Sequence, residues 1–253
     1  MVTIQQNVIV VILAILVSLL AMSILNRLWP REKRRPYNDL IGWQLSILGT
    51  TYAVILGFML YTVWTSFGEA DRNVDVESNA VVNLYRLAEG LPEPQRTQLQ
   101  TLARSYVDTA IEQEWPQMAR GDVPEESSPV TKAMWKTVMS FKSTSPTEVN
   151  AQEHAMQELE SLEQHRLTRL LQSKTRLPAV LWCVLLVGGS LTILSACTFG
   201  ESSVKLQILQ VISLSLLVSL SLVAIADIHR PFFGLVRVND FAFERAQQAM
   251  QSR

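Results

Sequence analysis

Four long apolar runs, set between polar stretches of very unequal length, frame this chain of 253 residues. Val8–Leu28, Trp43–Phe67, Pro178–Phe199 and Leu206–Ile228 each reach the ~20 residues a helix needs to cross a bilayer. Between the second and third runs lies a polar stretch in which apolar residues recur at helical spacing and never alternate as in a strand. The pattern predicts an all-α integral membrane protein: four transmembrane helices with a helical extramembrane insert between the second and third. The expected division is residues 1–67 for the first transmembrane pair, 68–177 for the insert, 178–228 for the second pair and 229–253 for a C-terminal tail.

The second run is not uniformly apolar. Gly42, Ser46, Gly49, Ala53 and Gly57 form a stripe at steps of three or four, and Gln44, Thr50, Thr51 and Thr62 add polar atoms that a plain anchor does not need. Small residues let helix backbones approach closely in lipid, where burying Leu against Leu gains little. The stripe therefore reads as a packing surface between helices of one subunit, compatible with pore lining by the opposite face. No helix breaker follows until Leu91-Pro92, and Val74, Val81, Leu84, Leu87 and Ala88 keep the helical period. The expectation is one helix of nearly fifty residues, roughly 70 Å long at the usual rise.

Within the insert, Glu93–Arg120 reads as an amphipathic helix interrupted or bent at Pro116, which lacks a backbone donor. Gly121–Pro129 is a loop by its breakers and charges. Thr131–Lys142 and Glu148–Arg176 follow as helices, separated by Ser143-Thr144-Ser145-Pro146.

Charge and chemistry narrow the function. The net charge of −1 offers no bulk attraction to nucleic acid. Cys183 and Cys197 are fourteen residues apart in the third run, roughly 21 Å along a helix, so they form no bridge with each other and read as small apolar groups. The first run has no basic residue before it and no small-residue cleavage site, so it is a retained anchor. Basic residues at Arg31–Arg35 argue that this turn is cytoplasmic, but Arg166, Arg169, Lys174, Arg176, Arg230, Arg237 and Arg245 nearly balance that vote. No Gly-rich phosphate loop, His-Glu-x-x-His or Gly-x-Ser-x-Gly motif is present; the reading is not an enzyme, with no cofactor and no metal. His154 and His165 read as solvated helix surface, and Asp227 with Arg230 as a structural helix-end contact.

A set of short motifs runs nearly the whole length of the chain, beginning with Asn38-Asp39-Leu40-Ile41-Gly42, Gly49-Thr50-Thr51-Tyr52-Ala53-Val54, Gly57-Phe58, Trp64-Thr65-Ser66-Phe67 and Glu77-Ser78-Asn79-Ala80. It continues through Leu84-Tyr85-Arg86-Leu87, Leu91-Pro92, Glu114-Trp115-Pro116, Leu177-Pro178, Leu181-Trp182 and Pro231-Phe232-Phe233-Gly234 with Val236. In these motifs the chain resembles a bacterial membrane family known by its bestrophin-like domain. Through that family it is similar to bestrophins, pentameric ion channels in which the second transmembrane helix lines the pore and the insert is cytosolic. The resemblance implies a multi-pass protein of the bacterial inner membrane, a homo-oligomer in a lipid bilayer, with inorganic ions as the permeant species. Val54, Phe58 and Thr62 are the constriction residues it implies. One departure concerns calcium: after Pro231 the chain has only Asp240 and Glu244 where calcium-regulated bestrophins carry a dense acidic cluster, too few for six or more oxygen ligands. The alternative function is a non-conducting, membrane-anchored interaction or regulatory protein that acts through its insert.

Overall fold

The computed structural model describes residues 4–125, 128–142, 145–200 and 203–251, and every regular element among them is helical. Helix α1 (Ile4–Leu28) is followed by a short basic helix α2 (Arg31–Arg34), a 3-10 turn (Arg35–Tyr37) and α3 (Asn38–Leu87), a single helix of 50 residues. A 3-10 turn at Ala88–Gly90 stops it, just before Leu91-Pro92. Then come α4 (Gln95–Thr109), a π turn (Ala110–Glu114), α5 (Trp115–Arg120), α6 (Pro129–Met139) and α7 (Pro146–Lys174). Helices α8 (Ala179–Cys197), α9 (Val204–Ile228) and α10 (Phe241–Gln251) complete the chain. Among the described residues four helices are long and apolar enough to cross a membrane: α1, the N-terminal part of α3, α8 and α9. Residues 126–127 of the expected loop and 143–144 of the expected linker lie outside the described residues.

The break expected at Pro116 is instead absorbed one turn earlier. Proline removes a donor and its ring crowds the carbonyl four residues back. The helix accommodates this by widening, with the Trp115 amide donating to Ala110, five residues away, a local π geometry.

Two compact units divide the chain, Ser66–Thr175 with Arg230–Arg253 and Val2–Thr65 with Arg176–His229. In the first, Leu84, Leu99, Met134, Leu159, Leu162 and Phe243 are completely buried in one core. The C-terminal segment, expected as a tail, is part of that core: α10 buries Ala242, Phe243, Ala246 and Met250. Its apolar positions repeat at three or four, so it has a face to bury.

The centre of this core is charged. Arg169 on α7 is 0% exposed, and so is Glu77 on α3. Arg169 donates through Nε to Glu77 Oε2 at 2.7 Å and through Nη2 to Glu77 Oε1 at 2.8 Å and Glu114 Oε2 at 2.6 Å. Arg166, one turn earlier, grips the other oxygen of Glu114 at 2.6 and 3.1 Å. The Tyr106 hydroxyl donates to Glu77 at 2.6 Å. The Arg169 guanidinium also stands 4.9 Å from the Trp115 ring centre. Two carboxylates and two guanidiniums balance, which is the condition for burying charge without a large desolvation penalty.

These contacts shift titrations in a definite direction. Burial alone pushes the Glu114 carboxyl up, but Arg169 and Arg166 outweigh it and hold it below the usual carboxylate range. Burial first, then Glu77, pushes the Tyr106 phenol well above its ordinary value. A carboxyl that is more acidic folded than unfolded adds stability above its unfolded pKa and loses it as pH falls through the folded one.

In the second unit α1, α8 and α9 pack together, and the apolar side of α3 meets Leu185, Leu222 and Ile225 through Ile55, Leu56, Met59 and Val63. A polar knot closes one end. Arg34, 0% exposed, donates to the Cys197 carbonyl at 2.8 Å and to Asn26. Gln207 donates to the carbonyls of Cys197 at 3.3 Å and Phe199 at 3.0 Å, while Asn38 accepts from the Gly200 amide at 2.9 Å. Arg34 and Gln207 thereby satisfy the last carbonyl of α8, Cys197, which has no partner inside the helix, with a cation at the negative end of its dipole. Both cysteines are free; Cys197 is buried, whereas Cys183 is exposed on the outside of α8, where lipid is itself apolar.

Removing the shared guanidinium should be costly. Arg169→Ala leaves buried Glu77 without a cation and Glu114 with Arg166 alone, and is expected to destabilise the protein by about 3–5 kcal/mol, read by denaturant unfolding of the detergent-solubilised chain with circular dichroism. In the same assay wild-type stability should fall on acidification below the usual carboxylate range, and Glu114→Gln should flatten that acid limb. An Arg169→Ala protein as stable as wild type would show that the network is dispensable.

Candidate functional site

The expected pathway residues lie on the membrane part of α3, so the question is which side of that helix is already occupied. Tyr52 is 5% exposed and Val63 3%, and with Ile41, Leu45, Leu48, Ile55 and Met59 they trace a stripe at three- and four-residue steps that is buried or half-buried. Large side chains, not the small ones, therefore hold α3 to its own subunit.

Close approach does occur here, but the glycines that permit it belong to α8. A Cβ on Gly188 would stand 2.7 Å from the Tyr52 ring, and one on Gly189 would stand 2.8 Å from the Tyr52 hydroxyl oxygen. The hydroxyl passes this glycine pair and donates to the Leu185 carbonyl at 2.9 Å. The small residues of α3 behave differently. Gly42 faces the Phe199 ring, where a Cβ would sit in ordinary contact at 3.5 Å; Gly49 and Gly57 have nothing within 4 Å. Ser46, Ala53 and Gly57 are exposed and Gly42 and Gly49 half-exposed. Packing of this stripe within one subunit is thus confined to Gly42. Periodicity identifies a face but not the surface that meets it.

Val54 is 53% exposed and Phe58 69%; Thr62 is also exposed, and its hydroxyl donates back to the Phe58 carbonyl at 2.8 Å. The three share one flank of the helix, roughly 140° around the axis from the glycine stripe. Gln44, Thr51, Phe58 and Thr65 fall on that same flank at seven-residue intervals, all exposed. Sequence inspection noted the polar atoms but not this alignment. It becomes visible only once Tyr52 is known to point inward. Neither Gln44 nor Thr51 has a hydrogen-bond partner among the described residues, nor does Thr50 beside them.

Trp29, Trp43 and Trp64 are exposed near the ends of the apolar segments, as an interfacial belt requires. The two helical histidines have separate partners: His165 bonds Asn73 at 2.7 Å and His154 bonds Gln157 at 3.2 Å. Among the described residues no three His, Cys, Asp or Glu side chains gather as a metal site would require. Arg237 and Asp240, beyond the last apolar helix, line a cleft of about 470 Å³ with Trp115 and Arg120.

Comparison with known proteins places this geometry. A family model described as a bestrophin-like domain matches residues 12–243. Among solved structures, a mutant of a bacterial bestrophin homologue from Klebsiella pneumoniae is similar at 15% identity with a TM-score of 0.70, over 97% of this chain and 99% of the other. A second mutant of that homologue matches at 15% identity and a TM-score of 0.63, over 98% of both chains. A structure described only as a membrane protein matches at 14% identity and a TM-score of 0.63, again over 98% of each. No curated protein sequence matches the chain.

The seat of Tyr52 gives a direct test. Gly189→Leu forces its ring or α3 to move and should lower the melting temperature in detergent by several degrees, an overpacking cost of about 1–3 kcal/mol. Gly49→Leu, with open space around it, should leave the melting temperature of the detergent-isolated single chain unchanged. Equal losses from the two substitutions would show that the stripe on α3 is buried in the subunit after all.

Proposed function

The chain belongs to the bestrophin-like domain family, and from that membership we propose that it is an oligomeric ion channel of the inner membrane with α3 lining the pore. By analogy with bestrophins the oligomer is a pentamer and the insert is cytoplasmic. Val54, Phe58 and Thr62 form the constriction; of the stripe Gly42, Ser46, Gly49, Ala53 and Gly57, the last four pack against the neighbouring copy, while Gly42 meets Phe199 of its own subunit.

One observation carries this reading. The outward flank of α3 bears Gln44 and Thr51 without side-chain hydrogen-bond partners, alongside exposed Phe58 and Thr62, and Thr50, likewise without one, lies nearer the glycine stripe. Hydrocarbon cannot satisfy such groups, whereas water in a pathway or the polar atoms of an adjacent helix can. Pore lining and assembly are the two arrangements that supply them. A ring of Phe58 side chains around an axis gives a hydrophobic constriction of the kind that gates by dewetting. No acidic or basic residue falls within Trp43–Phe67, so this part of the pathway sets no charge preference of its own.

The test is ion flux from liposomes holding the purified full-length protein. Wild type should conduct, Phe58→Ala should conduct more, and Thr62→Lys should cut cation flux about tenfold, the equivalent of ~1.4 kcal/mol. Conductance that ignores both substitutions would place the pathway elsewhere. No flux from an intact oligomer would favour the membrane-anchored interaction protein instead.

A further inference from the structure

Between Arg27 and Asp39 the chain carries Arg27, Arg31, Lys33, Arg34 and Arg35 against two acidic residues, Glu32 and Asp39. Only one of the five basic groups is consumed by the fold. Arg34 turns inward to the Cys197 carbonyl and Asn26, and even there its Nε is buried with no partner. Arg31 also has a buried nitrogen, Nη1, with none. Lys33 and Arg35 are exposed, and none of these basic groups meets a carboxylate in a salt bridge among the described residues.

This uncompensated turn opens onto a cleft of about 490 Å³ lined by Trp29, Lys33, Tyr37, Leu40, Gln44 and Thr198. The volume suits a small amphiphile. Its lining is graded: a lysine and an amide beside an aromatic pair, Trp29 and Tyr37 with ring centres 6.4 Å apart, then the aliphatic Leu40. Amphipathic rings seat at the headgroup level of a bilayer, and basic pockets beside transmembrane helices hold anionic headgroups.

We propose that this cleft binds the phosphate headgroup and upper acyl chain of an anionic glycerophospholipid. Lys33 meets the phosphate, Arg31 and Arg35 add attractive field, Trp29 and Tyr37 flank the glycerol region, and Leu40 takes the start of the chain. Leu40 and Gln44 continue the outward flank of α3 at its entrance to the membrane, whereas Trp29, Lys33 and Tyr37 lie off that flank, so lipid retention and ion conduction are read separately.

Native mass spectrometry of the full-length protein in detergent tests it, with phosphatidylglycerol and phosphatidylcholine offered at equal concentration. Phosphatidylglycerol should be retained preferentially. Lys33→Gln should weaken its retention about five-fold, the equivalent of ~1 kcal/mol for one basic residue, with an unchanged elution profile and melting temperature. Trp29→Ala should also weaken it and serves if the Lys33 variant misfolds. Equal retention of the two lipids, or retention indifferent to both substitutions, overturns the proposal. So does an equal loss from Arg86→Gln, an exposed arginine of the other unit, because the effect is then bulk charge. Displacement of phosphatidylglycerol by millimolar inorganic phosphate would identify a free-phosphate site and overturn the lipid assignment.

Discussion

A guanidinium with no access to water governs the construction of the insert. Arg169 cannot lose its proton to escape burial, so the core must deliver acceptors to it from fixed directions. Glu77 comes from α3 and Glu114 from the π turn, each within hydrogen-bond distance of the guanidinium, and Tyr106 on α4 donates in turn to Glu77. That demand aligns three elements distant in sequence, and it explains why the helix widens where it does. Glu114 closes the π turn that Pro116 imposes, and both its oxygens are engaged, one by Arg166 and one by Arg169. Apolar side chains of α3, α4, α6, α7 and α10 pack around this centre. The ion network fixes which helix faces which.

The same α3 obeys a different rule in its apolar part. Lipid is as apolar as Leu, so exposed large side chains carry no penalty and contact is rewarded by close fit instead. The fit is made by Tyr52 against Gly188 and Gly189, an aromatic knob on α3 entering a glycine notch on α8. Gly49 and Gly57 of α3 keep their surroundings open. Under the proposed assembly, that open stripe is the surface a neighbouring helix would meet.

These two solvents determine how much could be read from sequence. Four spans, the fifty-residue helix and its stop at Leu91-Pro92 were legible because hydropathy and breakers act locally. The partners of each face were not, since period alone does not distinguish a face turned to lipid from one turned to a helix. The charged core was half visible. Ala155, Leu159, Leu162, Arg166 and Arg169 recur at steps of four and three on α7, and all are buried. Two arginines in a core register are a signal, yet counted as topogenic charge they lose that meaning. Their acceptors lie 52 to 92 residues away, so only the fold could pair them. Likewise Ala242, Ala246 and Met250 had the spacing of a buried helix face, but their place in a short segment after the last span suggested a tail.

The unpartnered polar side chains of α3 connect packing to function. Thr62 quiets its hydroxyl on the Phe58 carbonyl one turn back, a local solution available to any threonine in a helix. Thr50 and Thr51 do not take it. If their surroundings were hydrocarbon alone, each would forgo a hydrogen bond worth about 1 kcal/mol that a rotation of its side chain could recover. A face that leaves such bonds unmade is suited to an environment that completes them, and its alignment with Gln44 and Phe58 makes that environment continuous along the helix. Water along an axis meets this condition over the whole flank. A neighbouring helix meets it where the glycine stripe lets backbones approach. Gln44 and Thr51 share the flank of Phe58, whereas the glycine stripe lies on another side of the helix; under the proposed channel reading, one side would face the pathway and the other a neighbouring copy.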